Sequence, residues 1–212
     1  MMDAATQVLL LLVVLIDFAV LGTSQLSACI RWIAVQGAIL GLLPLFDGDG
    51  LTAHVYALAA GTVLVKAVLL PGFLRWAIRE AAIRREVEPL IGYMASILFG
   101  AAALGVAFAI ASTMPPLGRH DLIVPVSLVT VMIGMVVLIT RAKAISQVVG
   151  YVMLENGVYV FGLTLTRRVP FLLEVGVLLD VFVGIFIMGI VVFHINREFD
   201  SISSVNLSEL HE

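Results

Sequence analysis

Five ionisable residues lie inside long apolar runs of this 212-residue chain: Asp17, Lys66, Glu155, Glu174 and Asp180. A single charge at the centre of a bilayer costs at least about 2.5–3.5 kcal/mol on insertion scales. Each such residue therefore needs a partner, a hydrated cavity or a task. The chemistry open to this set is proton exchange on a carboxyl held in low dielectric, with a lysine nearby to bias its charge state. Depth sorts the five. Glu155 and Asp180 each stand about ten residues, or about 15 Å, into their runs, and Lys66 about thirteen. These three are the proton-path candidates. Asp17 and Glu174 lie nearer to run ends, within reach of headgroups, and form a secondary group.

Neighbouring residues support the central three. Tyr151, Glu155 and Tyr159 follow i, i+4, i+8 spacing, so two hydroxyls share a helix face with the carboxyl and can hold water or donate to it. Gly176 and Gly184 flank Asp180 in the same spacing and let another backbone approach. Pro71 has no N–H for the carbonyl of Ala67, beside Lys66, which suits a hydrated cavity. Two readings stay open. One is a proton relay through Glu155, Asp180 and Lys66. The other is a structural ion pair between Lys66 and one of the acids.

The rest of the chain offers no competing chemistry. Cys29 is the lone cysteine, and His54, His120, His194 and His211 are scattered at span ends or loops. A cysteine-ligated iron–sulfur cluster, a four-cysteine zinc site and an internal disulfide are excluded. No catalytic residue, metal site or cofactor is expected in this chain. The net charge of -3 offers nothing for nucleic acid.

The elements that must position these groups follow from composition. The chain is 61% hydrophobic and 13% charged, with a mean hydropathy of +1.13. It has too few polar residues to cover a water-exposed surface, so its solvent is lipid, where all backbone groups must bond internally. The expected fold is all-α: a polytopic transmembrane helix bundle of about seven spanning helices. The spans run over 4–23, 29–46, 53–75, 90–112, 122–140, 145–165 and 170–194. Asp47-Gly48-Asp49-Gly50 and Pro115-Pro116 mark turns, and Arg141 and Lys143 separate the fifth and sixth spans.

Basic residues orient the bundle. Arg31, Arg75, Arg79, Arg84, Arg85, Arg141, Lys143 and Arg197 fall on one side, against Arg119, Arg167 and Arg168 on the other. The excess predicts an outside N-terminus and a cytoplasmic C-terminus, with the Arg167-Arg168 pair as the dissenting feature. The third helix is expected to continue beyond Arg75, supported by a Glu80–Arg84 i,i+4 pair. Leu26-Ser27-Ala28-Cys29 reads like a lipobox, but Arg31 is the first basic residue and Asp3 is acidic, so an uncleaved first helix is expected. Gly37 and Gly41 form a small-xxx-small pair on the second helix, a common packing feature that bears on partner choice.

These residues carry a resemblance. The stretch from Arg141 to Asn196, with Arg141/Lys143, Leu154-Glu155, and Asp180 followed by Gly184, resembles the K subunit of respiratory complex I. That subunit usually has glutamate where this chain has Asp180. Nearly the whole chain resembles component E of hydrogenase-4, through Leu26-Ser27-Ala28-Cys29-Ile30-Arg31, Val65-Lys66-Ala67-Val68 and His194-Ile195-Asn196-Arg197-Glu198-Phe199. The resemblance implies a four-helix membrane extension over 1–121, a K-like three-helix module over 122–196 and a cytoplasmic tail over 197–212. It implies a non-catalytic membrane subunit of a redox-driven proton-translocating complex in a bacterial or archaeal cytoplasmic membrane. The nickel–iron centre and iron–sulfur clusters would belong to partner subunits. Expected partners are antiporter-like membrane subunits and a peripheral hydrogenase or related redox module. The alternative is a K-like component of a multi-subunit cation/proton antiporter without a redox partner. A scaffold alone would tolerate neutral Glu155, Asp180 and Lys66.

Overall fold

A computed structural model describes residues 2–46, 53–80, 91–114, 122–141, 144–165, 182–184 and 186–189. The described residues are almost entirely helical. Helix α1 spans Met2–Leu21, α2 Leu26–Phe46 and α3 Ala53–Thr62. A π-helical segment, Val63–Leu69, joins α3 to α4, Leu70–Glu80. Helix α5 spans Tyr93–Thr113, α6 Ile123–Thr140 and α7 Ala144–Leu165.

Among the described residues, five stretches are long and apolar enough to cross a membrane: Ala4–Leu21, Leu26–Phe46, Val55–Arg79, Tyr93–Thr113 and Ile123–Thr140. They correspond to the first five expected spans. The third helix does continue beyond Arg75, as far as Glu80, while Arg84 lies outside the described residues. Helix α7 matches the sixth span and carries Glu155 and Asn156 near its middle. Most of the seventh span lies outside the described residues, with Asp180 and Glu174 among those not described. The outward surface is apolar, with Leu11, Leu15, Leu98 and Phe99 exposed, as a lipid-facing surface requires. Trp32 and Trp76 are also exposed, near the N-terminal part of α2 and the C-terminal part of α4.

Helices α2 and α6 form the centre. Helix α2 packs against α1, α3, the π segment, α4 and α7, and α6 against α1, α5 and α7. Glycine sets the closest approaches. Helices α6 and α7 run antiparallel, with a Cβ on Gly134 or Gly150 falling 2.8 Å from the Cα of Leu154 or Leu138. A Cβ on Gly37 would fall 2.7 Å from the Lys66 carbonyl carbon and oxygen. The Gly37/Gly41 pair is therefore used inside the chain, to seat the π segment, and not for a partner helix. The reason is distance: with no side chain on α2 at those positions, the backbone carrying Lys66 enters the core.

Arg141 corrects a second expectation. The charge count treats it as a loop residue, yet it is 2% exposed. Its Nη2 donates to the carbonyl of Leu21 at 3.4 Å, and its guanidinium lies 5.8 Å from the Tyr93 ring centroid. Gln147 Nε2 donates to its carbonyl at 3.1 Å. Arg141 thus fastens the C-terminal ends of α1 and α6 to the N-terminal ends of α5 and α7. The side chain turns inward because the last carbonyls of α1 have no helical partner and attract a cation.

Candidate functional site

The π segment presents Lys66 to the core. Its wider turns are visible in the Leu70 N–H bond to the Val65 carbonyl, five residues back. Pro71 follows at once, with no N–H to continue an α register. A π turn just ahead of a proline is a recognised response to that loss, and such turns concentrate at functional sites. Lys66 is 2% exposed and donates to Oε2 of Glu155, which is 1% exposed. Lys66 thus pairs with an acid, the contact that one of the two open readings requires, and Glu155 is that acid. The ammonium lies 5.4 Å from the Tyr159 ring centroid, within cation–π range. The Tyr159 hydroxyl and Thr62 Oγ1 are 3.4 Å apart.

The pair does not end the network. Lys66 Nζ also donates to Asn156 Oδ1 at 3.2 Å. Asn156 Nδ2 donates to Gln36 Oε1 at 3.0 Å, and Gln36 Nε2 donates to Asp17 Oδ1 at 2.7 Å. Thr130 Oγ1 donates to Asp17 Oδ2 at 2.7 Å. Asp17, Gln36, Thr130 and Asn156 are each 0% exposed. Helices α1, α2, α6 and α7 and the π segment thus supply one connected set of buried polar groups. Such a network keeps its stability only when its members are satisfied.

The bond directions follow from the ends. An ammonium only donates and an ionised carboxylate only accepts. Between them, each amide accepts on its oxygen from the Lys66 side and donates from its nitrogen toward Asp17. The set contains two carboxyls and one ammonium. Among the described residues, Lys66 can therefore balance the charge of only one of the two carboxyls.

Asp17 corrects its expected place. Depth along the first helix puts it near the headgroups, yet it is fully buried and joins the central network. Two donors from α2 and α6 draw it inward. Tyr151 is half-buried. With Gln147, Leu138, Val148, Phe182, Val183 and Phe186 it lines a cavity of about 220 Å³.

The chain is 33% identical to "Uncharacterized protein Rv0085" of Mycobacterium tuberculosis (strain ATCC 25618 / H37Rv) over 214 residues, or 94% of this chain and 97% of that protein. The chain belongs to the Rv0085 family. No family model matches it, and no solved structure does. In this member of the Rv0085 family, sequence reasoning missed Gln36, Thr62, Thr130 and Asn156. A signal for Asn156 was present, since it directly follows Glu155 in an apolar run. Gln36 stands similarly alone between apolar stretches of α2 and directly precedes Gly37. Hydroxyls gave no signal, because Ser and Thr in membrane helices satisfy themselves locally, as Thr140 does on the Val136 carbonyl at 2.6 Å.

Proposed function

We propose that the chain is a membrane subunit of a redox-driven proton-translocating complex of the hydrogenase-4 and complex I kind, and that Lys66, Glu155 and Asp17 belong to its proton path. The observation that carries this reading is the buried Lys66–Glu155 pair, linked through Asn156 and Gln36 to a second buried carboxyl. The cost of burying charge makes such a set a functional candidate. Asp180 joins the path on the strength of the resemblance, and Glu174, Tyr151 and Tyr159 remain secondary members. In this reading seven helices span a bacterial or archaeal cytoplasmic membrane, with the N-terminus outside and the C-terminus inside.

The chain's own work is to hold and move protons. Glu155 accepts a proton from Lys66 or from the antiporter-like side, and Asp17 exchanges with the face near Arg141. Redox chemistry on nickel, iron and iron–sulfur centres takes place in partner subunits. Purification of the tagged chain from native membranes tests this. Recovery of a nickel–iron large subunit and antiporter-like subunits is the expected result. Recovery of antiporter-like subunits with no redox module assigns the chain to a cation/proton antiporter instead.

The ion pair also fits a purely structural role, because a satisfied buried pair holds helices together without titrating. Neutralisation separates the two. A relay loses pumping in an assembled complex, whereas a strut loses assembly.

A further inference from the structure

We propose that Gln36 and Asn156 form a two-position amide switch that makes the proton on Asp17 and the proton on Glu155 arrive together. The inference rests on the proton-path reading and adds a mechanism to it. In the structure the chain of bonds runs Lys66 to Asn156 to Gln36 to Asp17, each donating to the next. Its direction is dictated by a donor-only group at one end and an acceptor-only group at the other. Protonating Asp17 changes that. The new O–H donates to Gln36 Oε1, the Gln36 amide rotates and donates to Asn156 Oδ1, and the Asn156 amide rotates in turn. Asn156 then points its N–H at Lys66.

An ammonium cannot accept that N–H. Lys66 gives one proton to Glu155, the carboxylate it already touches, and its neutral amine accepts the bond from Asn156. The balance closes. One proton enters Asp17 from the membrane face, one passes from Lys66 to Glu155, and the set changes from net -1 (Lys66 positive, Glu155 and Asp17 negative) to neutral. No proton travels along the amides, since each keeps both of its hydrogens. What travels is the direction of bonding. The switch resets in reverse: Asp17 releases its proton, the amides rotate back, and Glu155 returns its proton to Lys66, which restores the net charge of -1.

Among the described residues, the following groups face the two carboxyls. Against Asp17, α2 supplies Gln36 and α6 supplies Thr130. Helix α5 buries Ser96, Gly100, Ala103 and Ala107 on the inner side of the bundle, none of them ionisable. Helix α7 and the π segment supply Glu155, Tyr159 and Lys66 through the amides. Arg141 meets α1 at Leu21, one turn beyond Asp17.

Infrared titration of the full chain in lipid nanodiscs tests the switch. The carbonyl stretch of a protonated carboxyl is assigned to each site with Asp17→Asn and Glu155→Gln. In the native chain the two bands are expected to rise together over one pH interval. In Gln36→Leu and in Asn156→Leu they should separate by about one pH unit or more. The exchanged pair, Gln36→Asn with Asn156→Gln, keeps both amides and should bring the bands together again. Where a leucine variant fails to fold, the alanine variant at the same position is measured. Bands that separate in the native chain, a site that never titrates, or bands that stay together without an amide would each overturn the switch. Proton pumping is measured on the assembled complex and the infrared bands on the chain alone, so the switch and the proton-path reading fail separately.

Discussion

Lys66 and Glu155 are 89 residues apart in sequence and share a proton-capable contact in the middle of the bundle. One side chain leaves a π-helical segment and the other leaves α7; α2 meets the first element at Gly37, against the backbone of Lys66, and the second through Gln36, which accepts from Asn156 beside Glu155. A buried pair of this kind adds little net stability when intact, yet becomes costly when one partner is removed.

Removing Lys66 alone is therefore expected to lower the stability of the chain more than removing Glu155 alone or both charges together. Lys66→Met strands the Glu155 carboxylate among apolar helices and should cost about 3–5 kcal/mol if the acid stays charged. Glu155→Gln keeps the shape of its partner and leaves Asn156 as an acceptor for the ammonium. The double variant carries neither charge and should recover to within about 1–2 kcal/mol of native. Thermal unfolding of the detergent-solubilised chain measures all three. Additive losses in the double would show that the pair contributes nothing as a pair.

Glycine substitutions test the seat of Lys66. A Cβ on Gly37 would lie 2.7 Å from the backbone of Lys66, so Gly37→Ala forces α2 away from the π segment. Overpacking of this kind costs about 1–3 kcal/mol. Gly105 on α5 meets nothing within 4 Å among the described residues, and Gly105→Ala should stay within about 0.5 kcal/mol of native. Equal melting temperatures for the two variants would remove the close approach from the account.

Asp17→Asn tests the far end of the network. Asp17 accepts from both Gln36 and Thr130, and an asparagine places an N–H where one of those acceptors stood. The expected loss is about 1–3 kcal/mol, smaller if the Thr130 hydroxyl turns to accept. Asp17→Leu should be worse, because it orphans both donors. Stability of Asp17→Leu equal to native would contradict the inward placement of this residue.

Arg141 is expected to act as a clasp. Arg141→Lys keeps the charge but loses the planar contact with Tyr93 and the reach to the Leu21 carbonyl. Cys29 is a natural reporter: it is buried, and its Sγ donates to the Thr23 carbonyl at 3.9 Å in the same end of the bundle. Thiol labelling of Cys29 by a membrane-permeant maleimide should be slow in the native chain and faster in Arg141→Ala. Unchanged labelling would separate Arg141 from the packing of that end.

The sequence made the hydrophobic spans legible because lipid leaves a chain no choice but helix, and helix length follows from bilayer thickness. Lys66 and Glu155 were legible for the same reason: a charge in an apolar run is conspicuous. Their contact was readable only as one of two open readings, since depth matches residues without revealing which helices touch. Gln36 and Asn156 were harder, because a single amide disturbs hydropathy little and its value depends on what it meets. Asp17 and Arg141 were placed by distance from span ends, a measure that ignores side-chain direction. Both turn inward, one toward two donors and the other toward the carbonyls that end α1. Pro71 pointed to a disturbed backbone beside Lys66, but a π segment and an open carbonyl are both answers to a missing N–H.

Proton translocation by the assembled complex carrying Glu155→Gln, reconstituted in vesicles, tests the central claim most directly. The glutamine keeps the volume of the side chain and cannot ionise. The account predicts a complex of native composition and quantity whose turnover no longer acidifies the vesicle interior. Native pumping by that assembled variant would contradict a proton path through Glu155.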